Sequence, residues 1–273
     1  MCGFMSAQSS VISLLSDFGL VDPFVGELKA VIISICPMAR IIDISHEVDR
    51  FNIRMGAFLL AEASPAFQEG AIHVAVVDPG VGSSRRAIVV KTRRAAYVGP
   101  DNGLLLPAAL AEGILRVFEI TNRSMMRREV SLTFHGRDIF APVAAHLAFG
   151  QLTEECGPEV TDYVKSPYGN AVFERKTVIC EILHVDRFGN IVTNLSQNSL
   201  SQHNITLAEK LILSVGNRRF STRVVGTFSD LREGEVGALF GSHGFLEVAA
   251  REKSAAEKLR VNPGIPVRIR LSD

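Results

Sequence analysis

Asp78, Arg85 and His135 give this 273-residue sequence an acid, a fixed cation and a group that changes charge near neutral pH. Asp78 follows an apolar run at residues 71–77 and opens a turn made by Pro79, Gly80 and Gly82, with Arg85 and Arg86 just beyond it. Proline and glycine in that order fold the chain back tightly and expose backbone amides. A carboxylate and a guanidinium seven residues apart across such a turn either close on each other as a turn salt bridge or both face a bound molecule. His135 lies in the polar cluster Thr133-Phe134-His135-Gly136-Arg137-Asp138 at a helix entrance. A histidine beside an aromatic commonly packs as a structural residue, whereas a loop position at a helix start favours function. Brought together, the three supply an imidazole that changes charge near neutral pH, a carboxylate to orient it and a fixed cation. Their spacing along the chain leaves that convergence open.

The elements that must position them follow from the pattern on either side. Residues 11–15 read as a buried strand that ends in Asp17, Pro23 opens a helix over 23–36 that Pro37 stops, and residues 40–44 form a second strand. Residues 53–67 have helical character and lead into the 71–77 run, which reads as a strand buried on both faces. Alternating strands and helices predict a mainly parallel sheet with right-handed crossovers, a Rossmann-like α/β domain. Asp17 and Asp78 then share the carboxyl edge of that sheet, the edge where open α/β folds bind ligands. Further strands are expected at 87–91 and 95–98, a turn at Pro100-Asp101-Asn102-Gly103, and a helix over 139–149. Periodicity is lost over 151–176, a stretch holding Gly157, Pro158, Pro167 and Gly169, which reads as an interdomain linker. Period-two alternation at 177–185, 190–195, 211–215, 237–240 and 267–271 predicts a smaller all-β domain, a barrel or a sandwich. The domains expected are residues 11–166 and 176–273, after a disordered tail at 1–10.

Composition narrows the function. With 29 basic and 29 acidic residues the net charge is zero, which argues against nucleic acid or an anionic membrane as partner. Hydrophobic residues reach 47%, yet no apolar run approaches the roughly 18 residues needed to span a bilayer. The first 28 residues lack Lys and Arg and Asp17 interrupts the early apolar segment, so a secretory signal is not expected. Cys2, Cys36, Cys156 and Cys180 show no C-x-x-C spacing and read as reduced cytoplasmic thiols; the seven histidines show no metal-ligand spacing. No metal and no cofactor is expected. Gly80-Val81-Gly82 begins like a dinucleotide fingerprint, but Arg85 occupies its third glycine position. Asp17-Phe18-Gly19 and His135-Gly136-Arg137-Asp138 echo kinase motifs in reversed order, with no lysine strand before them.

Taken together, Ser16-Asp17-Phe18-Gly19, Asp78-Pro79-Gly80-Val81-Gly82, Gly99-Pro100-Asp101-Asn102-Gly103-Leu104-Leu105, Phe134-His135-Gly136-Arg137-Asp138 and Asp186-Arg187-Phe188-Gly189-Asn190 resemble the S-adenosyl-L-methionine (SAM) hydroxide adenosyltransferases. These are relatives of the fluorinase and chlorinase enzymes, and the motifs run in family order over nearly the whole chain. The resemblance implies an N-terminal α/β domain, a C-terminal β-barrel domain and a homotrimer whose active sites lie between subunits. It implies hydrolysis of SAM to adenosine and L-methionine; the alternatives are a halide-using, chlorinase-like adenosyltransferase and a non-catalytic SAM-binding protein. By resemblance Asp78, Arg85 and His135 surround the nucleophilic water, with the base left open between Asp78 and His135. Asp17 matches the ribose-binding carboxylate, Asp22 and Asp186 the acidic positions near the methionine amino group, and Phe51 a large aromatic against the ligand. Phe188 and Asn190 match adenosine contacts, and Ser242 a contact to the methionine carboxylate. His243 stands where the halogenases carry arginine, and a tyrosine of theirs replaces Asp78.

Overall fold

The computed structural model describes residues 10–270, so all but the last residue of the expected tail, together with Cys2, lies outside the described residues. Its chain divides into two units, one ending at Pro167 and the next starting at Tyr168. In the first unit, β1 (Val11–Ser16) leads through a loop to α1 (Phe24–Ile35), β2 (Arg40–Ser45), α2 (Ile53–Ala63) and β3 (Ile72–Val76). β4 (Ala87–Thr92), β5 (Ala96–Pro100), α3 (Leu106–Glu112), β6 (Ile114–Glu119) and α4 (Ala141–Phe149) complete it. The strands lie in the order β2-β1-β3-β5-β4-β6, and only β4 runs against the others. Every residue of β1 and β3 is buried, as a parallel sheet covered on both faces requires. Leu28 and Ile32 of α1 join Val143 and Ala144 of α4 in a core over Ile12, Leu14, Val74 and Val76. On the opposite face α2 comes so close that a Cβ on Gly56 would sit 3.0 Å from Val77 and 2.9 Å from Leu104.

Local signals set the helix ends. The Asn52 side chain accepts a hydrogen bond from Met55 N at 3.0 Å and so caps α2. Pro142 sits in the first turn of α4, and Gly150 ends it at φ 112°, a left-handed conformation suited to glycine. A π-helical turn, Gly136–Phe140, runs directly into α4 and carries His135 at its entrance. Ser16 pairs with Val76 in the parallel β1–β3 register, so Asp17 and Asp78 both leave the same sheet edge.

The second unit contains β7 (Val172–Glu174), β8 (Thr177–Val185), β9 (Ile191–Ser196), α5 (Gln197–Gln202), β10 (Lys210–Val215) and β11 (Arg218–Val224). It ends with β12 (Val236–Phe240), β13 (Phe245–Ala250), α6 (Ala255–Leu259) and β14 (Pro266–Arg270). Seven of these strands follow the order β14-β10-β11-β12-β13-β9-β8, and β14 pairs back onto β8 to close a barrel. Closure leaves the barrel itself with no free edge. Val178, Ile182, Leu195, Leu213, Leu246 and Ile269 are among the residues that fill its interior.

Several elements were not anticipated. β11 alternates exposed Arg219, Ser221 and Arg223 with Phe220, Thr222 and Val224, and the polar Thr222 at its one buried position weakens the apolar signal. α5 and α6 are six and five residues long, too short for a helical period to register, and the barrel domain is therefore not all strand. Residues 151–167 do not hang free as a linker. Backbone bonds from Glu119 N to Pro158 O and from Val160 N to Val117 O, both 2.9 Å, stitch them to β6. Arg86 holds Asp162 at 2.7 Å, and Val164 N donates to Asp101 at 2.9 Å. Irregular backbone there is paired without forming a periodic strand.

Candidate active site

Asp78 and Arg85 close on each other across their turn. Arg85 Nε donates to Asp78 Oδ1 at 3.1 Å and Nη2 to Oδ2 at 2.5 Å, with side chains only 8% and 5% exposed. The same Nη2 lies 3.0 Å from His135 Nδ1. Guanidinium has no acceptor, so His135 Nδ1 accepts and the neutral ring carries its proton on Nε2. Burial, and then the Arg85 charge, push the His135 imidazole below its ordinary value, against the opposing pull of Asp78 and Asp138. Three groups separated by up to 57 residues of sequence thus form one cluster, with Arg85 also 5.5 Å from the centre of the Phe140 ring.

The turn that allows this depends on Gly82. Its φ of +77° is left-handed, and a Cβ there would lie 2.4 Å from the Leu132 carbonyl oxygen, so the 78–86 turn seats directly on the segment leading to His135. That segment is fixed from behind by Asp138, which is fully buried. Asp138 accepts from Arg137 Nε at 2.7 Å, Arg127 Nη1 at 3.2 Å and Ser131 N at 2.8 Å. Burial pushes the Asp138 carboxyl up, but the Arg137 hydrogen bond, the Ser131 amide and the Arg137 and Arg127 charges together hold it below its ordinary value.

Asp17 stands one residue beyond β1 and accepts from the Phe51 amide at 2.8 Å. Phe51 itself is 68% exposed and held at φ 64°, an uncommon conformation for an aromatic residue. The ring of Phe18 meets that of Phe134 edge-on at 5.8 Å, which links the loop after β1 to the residue before His135. Asp22 is exposed on the same loop. Leu20, Val21, Phe51 and Leu132 are all at least 66% exposed around these groups.

In the second unit, Asp186 organises the turn between β8 and β9. Its Oδ1 accepts from Phe188 N at 2.9 Å and Asn190 N at 2.8 Å, and its Oδ2 from Asn190 Nδ2 at 2.8 Å. The turn leaves Phe188 80% exposed while Asn190 is buried. Ser242 is exposed in the loop feeding β13 and lies 3.3 Å from His243 Nδ1. Glu247 on β13 is pushed above its ordinary value by burial and then by the Asp186 charge. Sequence reasoning passed over Glu247, Asp43 and His46, and quoted Ser16 in a motif without giving it a role; for Asp43 and His46 the only signal was their place at the end of a strand neighbouring Asp17.

Among the described residues no three or more His, Cys, Asp or Glu side chains gather to hold a metal ion, and no helix is long and apolar enough to cross a membrane. Cys36, Cys156 and Cys180 are free and buried.

A mainly parallel α/β unit with a carboxylate–guanidinium–imidazole cluster at its carboxyl edge, followed by a closed β-barrel, defines a two-part enzyme class. The chain belongs to the SAM hydroxide adenosyltransferase family: the family's N-terminal domain matches residues 12–157 and its C-terminal domain residues 180–268. A protein of Salinispora tropica named (R)-S-adenosyl-L-methionine hydrolase is 41% identical, covering 96% of this chain and 98% of that protein. One of the same name from Thermus thermophilus is 40% identical over 94% and 98%, and a Nocardia brasiliensis protein named fluorinase is 25% identical over 97% and 98%. The crystal structure of an uncharacterized conserved protein from Thermotoga maritima superposes with a TM-score of 0.89 at 40% identity, covering 95% and 99% of the two chains.

Proposed function

We propose that this protein hydrolyses SAM to adenosine and L-methionine by attack of water at C5′. The observation that carries the reading is the Asp78–Arg85–His135 cluster, held at 2.5–3.1 Å at a sheet carboxyl edge. Breaking the C5′–S bond of a sulfonium releases a neutral thioether, which needs no acid. The demand falls on the nucleophile, which must be aligned opposite sulfur and lose a proton as the C5′–O bond forms. One proton is released per turnover, and the step balances without a cofactor. His135 Nδ1 spends its lone pair on Arg85, whereas each Asp78 oxygen retains a second acceptor position beside the Arg85 fork. Asp78 therefore takes the proton, Arg85 lowers the energy of hydroxide character, and the His135 Nε2–H orients the attacking oxygen.

Asp17 binds the ribose hydroxyls through its open acceptor positions, and Asp22 favours the substrate ammonium. Phe51 packs on the ligand from the loop it shares with the Asp17 contact. Phe188 and Asn190 take adenosine, Asp186 shapes their turn and adds negative charge near the amino group, and Ser242 meets the carboxylate. The apolar rim of Leu20, Val21, Phe51 and Leu132 supports closure by a neighbouring subunit in a homotrimer, with sites at the subunit interfaces. Free buried thiols at Cys36, Cys156 and Cys180 fit a cytoplasmic setting.

Incubation with SAM in ¹⁸O-labelled water tests the reaction: the label is expected on the 5′ oxygen of adenosine, with methionine in equal amount. A protein that binds SAM and releases no adenosine is a binding protein, and the proposal fails. Mixing Asp78→Ala with Asn190→Ala subunits is expected to restore activity if neighbouring chains share sites. No recovery after verified exchange places each site within one chain.

A further inference from the structure

Ser16, His46 and Asp43 form a second chain of side chains beside Asp17, none of which contributes to the cluster above. Ser16 Oγ lies 2.7 Å from His46 Nδ1, and His46 Nε2 lies 3.2 Å from Asp43 Oδ1. Asp43 Oδ2 in turn accepts from Lys29 Nζ at 2.6 Å. The order serine, histidine, aspartate invites comparison with a nucleophilic triad. Ser16 is only 1% exposed and His46 3%, so no substrate carbonyl reaches the hydroxyl and the arrangement is not a nucleophile.

Donor directions define what it does instead. Asp43 is ion-paired with Lys29, and its Oδ1 faces His46 Nε2 at 3.2 Å without the alignment of a hydrogen bond; a ring lone pair turned to that carboxylate would be repelled, so Nε2 carries the proton. A neutral ring then leaves Nδ1 as an acceptor, and the Ser16 hydroxyl donates into it. Ser16 Oγ can still accept, and it receives the Phe18 amide at 3.3 Å. The His46 carbonyl oxygen receives the Gly19 amide at 2.8 Å. His46 thus reaches both sides of Asp17, at Ser16 through its ring, with the Phe18 amide bonded to the same hydroxyl, and at Gly19 through its backbone. Burial keeps this imidazole below its ordinary value although Asp43 pulls the other way, which agrees with a neutral ring. Lys29 from α1, Asp43 from β2 and Glu47 next in the chain are the charged groups acting on it. Protonating Nδ1 would reverse the Ser16–His46 bond, turning the Ser16 hydroxyl from donor to acceptor.

We propose that His46, acting through Ser16 and oriented by Asp43, is a positioning residue that fixes the Asp17 carboxylate for the ribose hydroxyls. The inference rests on the reading of Asp17 as the ribose contact. His46→Asn places an amide oxygen near the Nδ1 position and keeps the acceptor for Ser16, whereas His46→Gln keeps the donor for Asp43 and loses that acceptor.

The test measures binding of adenosine and of 2′-deoxyadenosine to the full-length protein by calorimetry, for wild type, Asp17→Asn, Ser16→Ala, His46→Asn and His46→Gln. Asp17→Asn is expected to abolish the preference for adenosine. Ser16→Ala and His46→Gln should weaken that preference by about tenfold, the scale of one charge-assisted hydrogen bond, and raise KM for SAM more than they lower kcat. His46→Asn should stay near wild type. If Asp17→Asn keeps the preference, the ribose reading of Asp17 is wrong. If Asp17→Asn loses it while Ser16→Ala and His46→Gln keep it, or if His46→Asn falls with His46→Gln, the positioning role is overturned.

Discussion

Arg85 holds Asp78 at both carboxylate oxygens, 3.1 Å to Oδ1 and 2.5 Å to Oδ2, and with the same Nη2 reaches His135 Nδ1 at 3.0 Å. One guanidinium therefore fixes the separation of the acid and the imidazole. Removing either member of a buried pair leaves the other charge uncompensated, a cost of about 3–5 kcal/mol. Asp78→Ala is expected to lower unfolding free energy by about that amount in urea titrations and to reduce kcat more than 100-fold, about 3 kcal/mol of barrier. Arg85→Lys keeps the charge but loses the fork, and should lower kcat while recovering most of the stability. Equal stability losses in the two variants would contradict the geometry.

His135 reports on Arg85 directly. Its imidazole lies below the ordinary value because of burial first and the Arg85 charge second. Arg85→Gln removes the second contribution and leaves Asp78 unopposed, so the His135 titration is expected to move upward. Histidine ring resonances followed from pH 8 to pH 4 by NMR measure this. An unchanged or lowered midpoint would show that burial alone sets it.

His73 makes stability depend on pH without touching the site. It is 1% exposed, bonded to Ser13 Oγ at 2.6 Å and stacked 4.8 Å from the Tyr97 ring. Burial pushes its imidazole down to about 4. The unfolded chain binds a proton at this group from about pH 6.5, while the folded chain resists protonation until near 4. Above pH 6.5 neither state is protonated there and the group has no effect. Between about 6.5 and 4 the unfolded state gains the proton first, so stability falls as pH falls, by about 3 kcal/mol in total. His73→Gln should remove that part of the slope, measured as the difference in urea midpoints at pH 7 and pH 4.5.

The first unit was readable because its strands and helices alternate and its site residues sit at strand ends. The run before Asp78 is apolar enough to be a buried strand, and a parallel neighbour ending at Ser16 places Asp17 on the same edge. Convergence of His135 was not readable, because it depends on the Gly82 turn resting on Leu132, a contact between residues 50 apart. The Ser16–His46 bond was hidden for a related reason: it needs the β1–β2 register, in which Leu15 pairs with Ser45 across a bulge. Barrel strand β11 escaped because its buried position holds the polar Thr222, and closure by β14 onto β8 joins segments whose pairing no local pattern encodes.

Gly80 and Gly82 separate turn chemistry from contact. At Gly80 the nearest atom to an added Cβ is Ser83 Oγ at 3.5 Å, an ordinary approach, whereas Gly82 combines φ +77° with the Leu132 oxygen at 2.4 Å. Gly80→Ala is expected to fold and turn over within about threefold of wild type, under 1 kcal/mol. Gly82→Ala should cost about 1–3 kcal/mol of stability from backbone strain and separate Arg85 from His135, with a larger loss in kcat than in stability. Comparable behaviour of the two variants would show that the seat on Leu132 does not position the cluster.

Halide attack is the chemistry nearest to hydrolysis, and the role proposed for the Asp78–Arg85 pair predicts discrimination between them. A halide at the point of attack would lie a few ångströms from the Asp78 carboxylate, a repulsion of roughly 4 kcal/mol at an effective dielectric near 20. Arg85 cannot offset this freely, because Asp78 already occupies its Nε and Nη2. Water takes the same position as a hydrogen-bond donor to Asp78 and loses nothing. Wild type in concentrated chloride is therefore expected to yield adenosine and no 5′-chloro-5′-deoxyadenosine. Asp78→Ala frees the guanidinium beside the vacated carboxylate position, so chloride should bind there and inhibit the residual reaction in proportion to its concentration, at constant ionic strength. Mass spectrometry of the nucleoside products measures the first outcome and initial rates the second. A halogenated nucleoside as the main wild-type product, or chloride inhibition equal in wild type and variant, would show that the ion pair does not set the choice of nucleophile.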